Sequence, residues 1–112
     1  MKKMSFHGLS GKRHDFEMAG VNTPWARMSG VAVFAAPDAY GWRVIRVVEL
    51  TGRDHDVRPL WALHEAERYG ASAVFVASEP DRHLRQGMIS DLEAGLSPVV
   101  VGAPAVPMGM AA

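Results

Sequence analysis

The chain has 112 residues, 48% hydrophobic and 21% charged, the composition of one ordinary globular domain. Lys+Arg 12 against Asp+Glu 12 leaves no net field to draw the protein to nucleic acid or membrane, so any anion binding must come from a local cluster. With no cysteine, a disulfide framework, thiol catalysis and cysteine-based metal sites are excluded, which suits a cytoplasmic protein.

No apolar run reaches the length of a membrane span. Lys2 and Lys3 are followed by Ser5-Phe6-His7-Gly8 where the apolar part of a secretion signal would stand, so neither secretion nor a membrane partner is expected. Residues 1–30 are interrupted by Gly8, Gly11, Gly20 and Pro24 and show no sustained period; they are expected to be irregular or partly disordered. Within them Phe16, Met18 and Val21 suit a short strand, and Trp25 suits an anchor on the core.

Residues 31–36 form an apolar, partly β-branched run ended by Pro37-Asp38, a buried strand leading into a turn. Residues 42–51 alternate, with Trp42, Val44, Arg46, Val48 and Leu50 on one face and Ile45 and Val47 on the other, so both faces are expected to be covered. A polar loop carrying Arg53, Asp54, His55 and Asp56 follows, with Asp54 or Asp56 as helix cap and Pro59 in the first turn of a helix over about 57–69. Leu60, Leu63, Ala66, Tyr69, Trp61 and His64 would form its inner side. A second apolar strand is predicted over 72–78. A helix follows over about 81–96, with Leu84, Met88, Leu92 and Leu96 at helical spacing, then a third buried strand over 98–101. Residues 102–112 read as a flexible tail of small residues and proline.

Alternating strands and helices predict an α/β domain of two or three layers over residues 31–101. Its sheet would be mainly parallel, with three or four strands and the first strand antiparallel, because residues 37–41 are too few for a crossover. Sites in such sheets lie where strands lead into helices. Those loops carry Arg53 and Arg58 after one strand and Arg82 and Arg85 after another, so arginines converge at one edge despite the zero net charge.

Several stretches together resemble the catalytic domain of serine recombinases, the resolvases and invertases. They are Tyr40-Gly41-Trp42, Thr51-Gly52, Arg58-Pro59-Leu60 and Asp81-Arg82-His83-Leu84-Arg85, in that order and similarly spaced. The resemblance implies that Arg58, Arg82 and Arg85 hold a DNA phosphate, with Asp81 and Arg53 in support and no metal or other cofactor. It places Asp38 where the family has its nucleophilic serine, and an alanine where it has a further arginine. The expectation is therefore a recombinase-like domain that binds a DNA backbone or a recombinase partner without cutting.

Each feature has a plainer reading. Asp81 can be a helix cap with Arg82 and Arg85 solvated, and Arg53 and Arg58 can pair with Asp54 or Asp56. His7, His14, His55, His64 and His83 form no metal-ligand spacing. Two further functions remain open: an interaction module that self-associates or binds a partner through an exposed edge strand (31–36 or 98–101), and a hydrolase using Asp54, His55 and Asp56.

Overall fold

The computed structural model of the chain describes residues 2–103. Its strands β1 (Lys3–His7), β2 (Arg13–Met18), β3 (Ser29–Asp38), β4 (Gly41–Thr51) and β5 (Ala73–Ser78) form one sheet in the order β1-β2-β5-β3-β4. Helix α1 (Arg58–Glu67) connects β4 to β5, and α2 (Arg82–Leu96) follows β5.

Strand β3, between β5 and β4, carries core on both faces because it is apolar at every position from Val31 to Ala36. Val31, Val33 and Ala35 pack with Phe75 and with Leu92 of α2, while Ala32, Phe34 and Ala36 pack with Ala62 and Ala66 of α1. The two helices therefore cover opposite faces, giving three layers. Burying a side chain such as Phe34 contributes roughly 1.5–3 kcal/mol, so two full cores on one strand outweigh any local preference. Trp25, in a single 3-10 turn, meets Phe34 edge to face at 5.5 Å and anchors the chain entering β3.

The expectation of a mainly parallel sheet is overturned: every neighbouring pair of strands is antiparallel. The crossover through α1 does leave β4 and β5 pointing the same way. They are not neighbours, however, because β3 lies between them and pairs antiparallel with both. Periodicity reveals a crossover but not a strand inserted into it.

Residues 1–30 are also more ordered than expected. They hold β1 and β2, a hairpin that contributes Phe6 and Phe16 to the α2-side core. Residues 98–101 form no strand; they run along β4, where Val100 N–H donates to the Ile45 carbonyl at 2.9 Å. On α1 the buried residues are Pro59, Ala62 and Ala66, with Leu63 packed beside them, while Leu60 and His64 are exposed, as are Tyr69 after the helix and Leu84 on α2. Small residues let α1 sit close to the sheet, which moves its inner face away from the large side chains. The tail expected over 102–112 lies, from residue 104 on, outside the described residues.

A bulge changes the faces of β4. Phe34 opposes Arg46 and Ala35 opposes Val44, so Ile45 is the extra residue. Ile45, Val48 and Leu50 face α1, whereas Trp42, Val44 and Val47 face α2. Arg46 is thereby buried towards α1, where its Nη1 lies 3.4 Å from Oε1 of Glu65.

The β1–β2 hairpin is latched to α2 by Asp91. Its carboxylate accepts from Ser10 N–H, Ser10 Oγ and His14 Nε2, all at 2.9 Å, and its carbonyl accepts from Leu9 N–H at 3.0 Å. Contact this close requires glycine on both sides: a Cβ on Gly95 would stand 2.5 Å from the carbonyl carbon of Gly8. The hydrogen bond from His14, followed by those from Ser10, lowers the Asp91 pKa from its ordinary 3.8 to about 2. A depressed carboxylate stabilises the fold above its unfolded pKa and loses that contribution as pH falls through the folded one. Acid unfolding followed by circular dichroism is therefore expected to show a loss of stability between pH 3.8 and about 2 that Asp91→Asn removes. An unchanged acid transition in Asp91→Asn would show that the latch carries no such linkage.

Candidate anion-binding site

Because β4 and β5 run in the same direction, their carboxyl ends, Thr51 and Ser78, lie at one end of the sheet. The loop before α1 and the first turns of α2 meet there. Arg53, Arg58, Arg82 and Arg85 line a single cleft of about 330 Å³ together with Glu49 and Thr51. The four arginines that sequence spacing directed to one edge are thus brought together, although the sheet beneath them is of a different kind.

Their states differ. Arg85 is buried, and its Nε donates to Glu49 Oε2 at 2.9 Å while Nη1 donates to the carbonyls of Glu79 and Pro80 at 3.2 and 2.8 Å. It braces α2 and the end of β5 against β4, and its charge is largely committed. Arg58 forms a bidentate pair with Asp56, Nε to Oδ1 at 2.9 Å and Nη2 to Oδ2 at 3.0 Å, yet its side chain stays 40% exposed. Asp56 also accepts the Thr51 hydroxyl at 2.7 Å and the Arg58 N–H at 3.2 Å. The Arg58 guanidinium, then the Thr51 hydroxyl, hold this carboxyl well below the usual carboxylate range, and the pairing with Asp56 raises the pKa of Arg58. Arg53 and Arg82 are exposed, and among the described residues neither has a carboxylate within ion-pair distance.

Asp81 does not orient an arginine. Its Oδ1 accepts from Leu84 N–H at 3.1 Å, which makes it the N-cap of α2. Asp38 is remote, in the turn at the opposite end of the β3–β4 hairpin, where its carboxylate accepts from Tyr40 N–H at 2.8 Å. The length of β4 separates it from the cleft, roughly 30 Å at about 3.3 Å per residue. The position that the resemblance gives to a nucleophile is therefore not in the site.

Two lining residues, Glu49 and Thr51, were not singled out from sequence. Their signal was a charged and a hydroxylated residue at the carboxyl end of an otherwise apolar strand, where sheet sites lie. Asp54, His55 and Asp56 line a neighbouring cavity of about 390 Å³ with Arg27 and Leu60, and Arg53 lines both it and the cleft. Asp56 is committed to Arg58 and Thr51, and among the described residues His55 forms no ion pair with Asp54 or Asp56, so no carboxylate–histidine pair is assembled for acid–base work. Among the described residues no three of His, Asp and Glu are grouped to hold a metal, and no helix is long and apolar enough to cross a membrane. No family model, curated protein or solved structure matches the chain, so the likeness to serine recombinases rests on the quoted residues alone and the function must be argued from the cleft.

Proposed function

We propose that the arginine cleft binds a phosphate group carried by a larger molecule and does not cleave it. The observation that carries this reading is the convergence of Arg53, Arg58, Arg82 and Arg85 on one cleft whose lining holds a single carboxylate, Glu49. Arg85 with Glu49 and Arg58 with Asp56 are ion pairs that shape the cleft, and Arg53 and Arg82 supply the uncommitted charge and heads free to fork onto phosphate oxygens. Binding is favoured over cleavage because the hydroxyl in the lining, Thr51, already donates to Asp56. A carboxylate depressed this far is a poor acceptor for its proton. The backbone phosphate of DNA, held as a recombinase-like domain would hold it, is one source of the group; a phosphorylated protein, a recombinase-like partner included, is another.

The test is titration of the protein with inorganic phosphate and with a short 5′-phosphorylated oligonucleotide at low salt. Charge-assisted hydrogen bonds contribute about 1.5–3 kcal/mol each, so Arg53→Ala with Arg82→Ala is expected to weaken binding about 100-fold or more. Both side chains are exposed, so folding should survive and circular dichroism should be unchanged. Equal affinity in wild type and the double variant would end the proposal.

A further inference from the structure

Arg53 stands between two depressions of different character. On one side is the arginine cleft; on the other is the cavity of about 390 Å³ beside the loop before α1. The ion pair of Arg58 with Asp56 joins them, Arg58 lining the cleft and Asp56 the cavity. Part of the cavity wall is apolar, made by Ala26, Val57 and Leu60, the last 52% exposed at the start of α1. The remaining polar groups are Arg27, Asp54 and His55. Arg27 is held in place because its 3-10 turn is anchored by Trp25 on Phe34.

The fold leaves these polar groups unused. Arg27 and Asp54 carry opposite charges in one small cavity, yet they do not pair, and among the described residues neither has any partner within ion-pair distance. His55 adopts left-handed backbone, φ 63°, at a turn position where glycine would be unstrained. A free guanidinium fork, a free carboxylate, an imidazole and apolar walls together suit a flat ring with donors and acceptors on its edge. Guanine has the matching edge. Its adjacent N1–H and N2–H donate in parallel to a carboxylate, and its O6 and N7 accept a guanidinium fork. Adenine and cytosine offer a carboxylate one amino group each, and uracil a single N–H. The ring faces stack on imidazole and apolar side chains.

We infer, building on the phosphate-binding reading of the cleft, that the phosphate is that of guanosine 5′-monophosphate, whose base occupies the neighbouring cavity. Arg82 and Arg53 hold the phosphate, Asp54 accepts from N1–H and N2–H, and Arg27 donates to O6 and N7. His55 and Leu60 flank the ring. Cleft and cavity, at about 330 and 390 Å³, each lie near the lower limit for small-molecule sites, about 300–1,000 Å³, so a ligand reaching into both is nucleotide-sized. A polynucleotide would instead carry further phosphates towards Asp54 and towards Glu79, whose carbonyl Arg85 holds.

The experiment is isothermal titration of the full chain at low salt with guanosine 5′-monophosphate. Its comparison arms are the adenosine, cytidine and uridine monophosphates, guanosine, inorganic phosphate and a 5′-phosphorylated oligothymidylate. Guanosine monophosphate is expected to bind about tenfold or more tighter than every other arm. Asp54→Ala should abolish that preference, with circular dichroism unchanged because the side chain is exposed. By charge alone, loss of a carboxylate near the cleft strengthens every phosphate, so a loss confined to the guanine nucleotide reports hydrogen bonds to its base. A variant that keeps the preference places the base elsewhere and overturns the inference. Equal binding of all four nucleotides, or a preference for another base, also overturns it and leaves the phosphate reading of the cleft standing. Tighter binding of the oligothymidylate makes a polymer the carrier and overturns the mononucleotide. Guanosine binding as tightly as its monophosphate, or no binding in any arm, overturns both the inference and the phosphate reading beneath it.

Discussion

Glu65→Ala is expected to lower the unfolding free energy by about 3 kcal/mol, near the low end for stranding one member of a buried ion pair. Arg46 is 1% exposed, and its Nε and Nη1 are buried without a hydrogen-bond acceptor. Its charge is answered by Glu65 at 3.4 Å, with further help from the Gly102 carbonyl. Removing the carboxylate leaves a buried guanidinium whose remaining partner is the Gly102 carbonyl. The low end is chosen because the Glu65 side chain is 29% exposed and water can partly replace it. Urea denaturation measures the change directly. Arg46→Met combined with Glu65→Leu should recover most of the loss, because paired removal of a buried ion pair is close to neutral when the volume is refilled. A Glu65→Ala midpoint within error of wild type would mean that Gly102 and solvent suffice to hold Arg46.

That pair also shows where reading the sequence reaches its limit. Period-2 alternation placed Arg46 with Trp42 and Val44, and one extra residue at Ile45 transferred it to the other face beside α1. No residue type marks the bulge, since Ile45 and Arg46 are both acceptable in a regular strand. Local elements were legible: the apolar run of β3, the Pro59 start of α1 and the Asp81 cap of α2 all reflect short-range chemistry. Pairing was not, because strand order depends on which distant strand meets β3. A strand at Phe16 and Met18 was legible, but β1 and its pairing with β2 escaped notice, since Phe6 is separated from His14 and Phe16 by glycines and these residues gain their role only through Asp91 and Phe75. The arginine cleft was legible for a reason that survives the wrong sheet. A crossover through α1 makes the ends of β4 and β5 coincide whether or not another strand lies between them.

Arg85→Ala is expected to cost about 3 kcal/mol of stability, the low end for a buried pair because the Glu49 side chain it strands is 28% exposed, whereas Arg82→Ala, three residues earlier, should stay within about 0.5 kcal/mol of wild type. The sequence presents them as equivalent members of Asp81-Arg82-His83-Leu84-Arg85. The structure separates them. Arg85 is 6% exposed, pairs with Glu49 and satisfies two carbonyls at the end of β5, so its loss strands a carboxylate and unpins α2 from β4. Arg82 projects into solvent at the mouth of the cleft with no partner among the described residues, so folding loses almost nothing with it. Under the proposed phosphate-binding function the order reverses: Arg82→Ala should remove most of the phosphate affinity that a still-folded protein can show. Thermal unfolding and phosphate titration on the same two variants separate the roles. Equal destabilisation by both would mean that Arg82 also braces the fold. A stable Arg85→Ala protein with unchanged phosphate affinity would mean that neither Glu49 nor the β5 carbonyls depend on the guanidinium, and the cleft would then need another source for its shape.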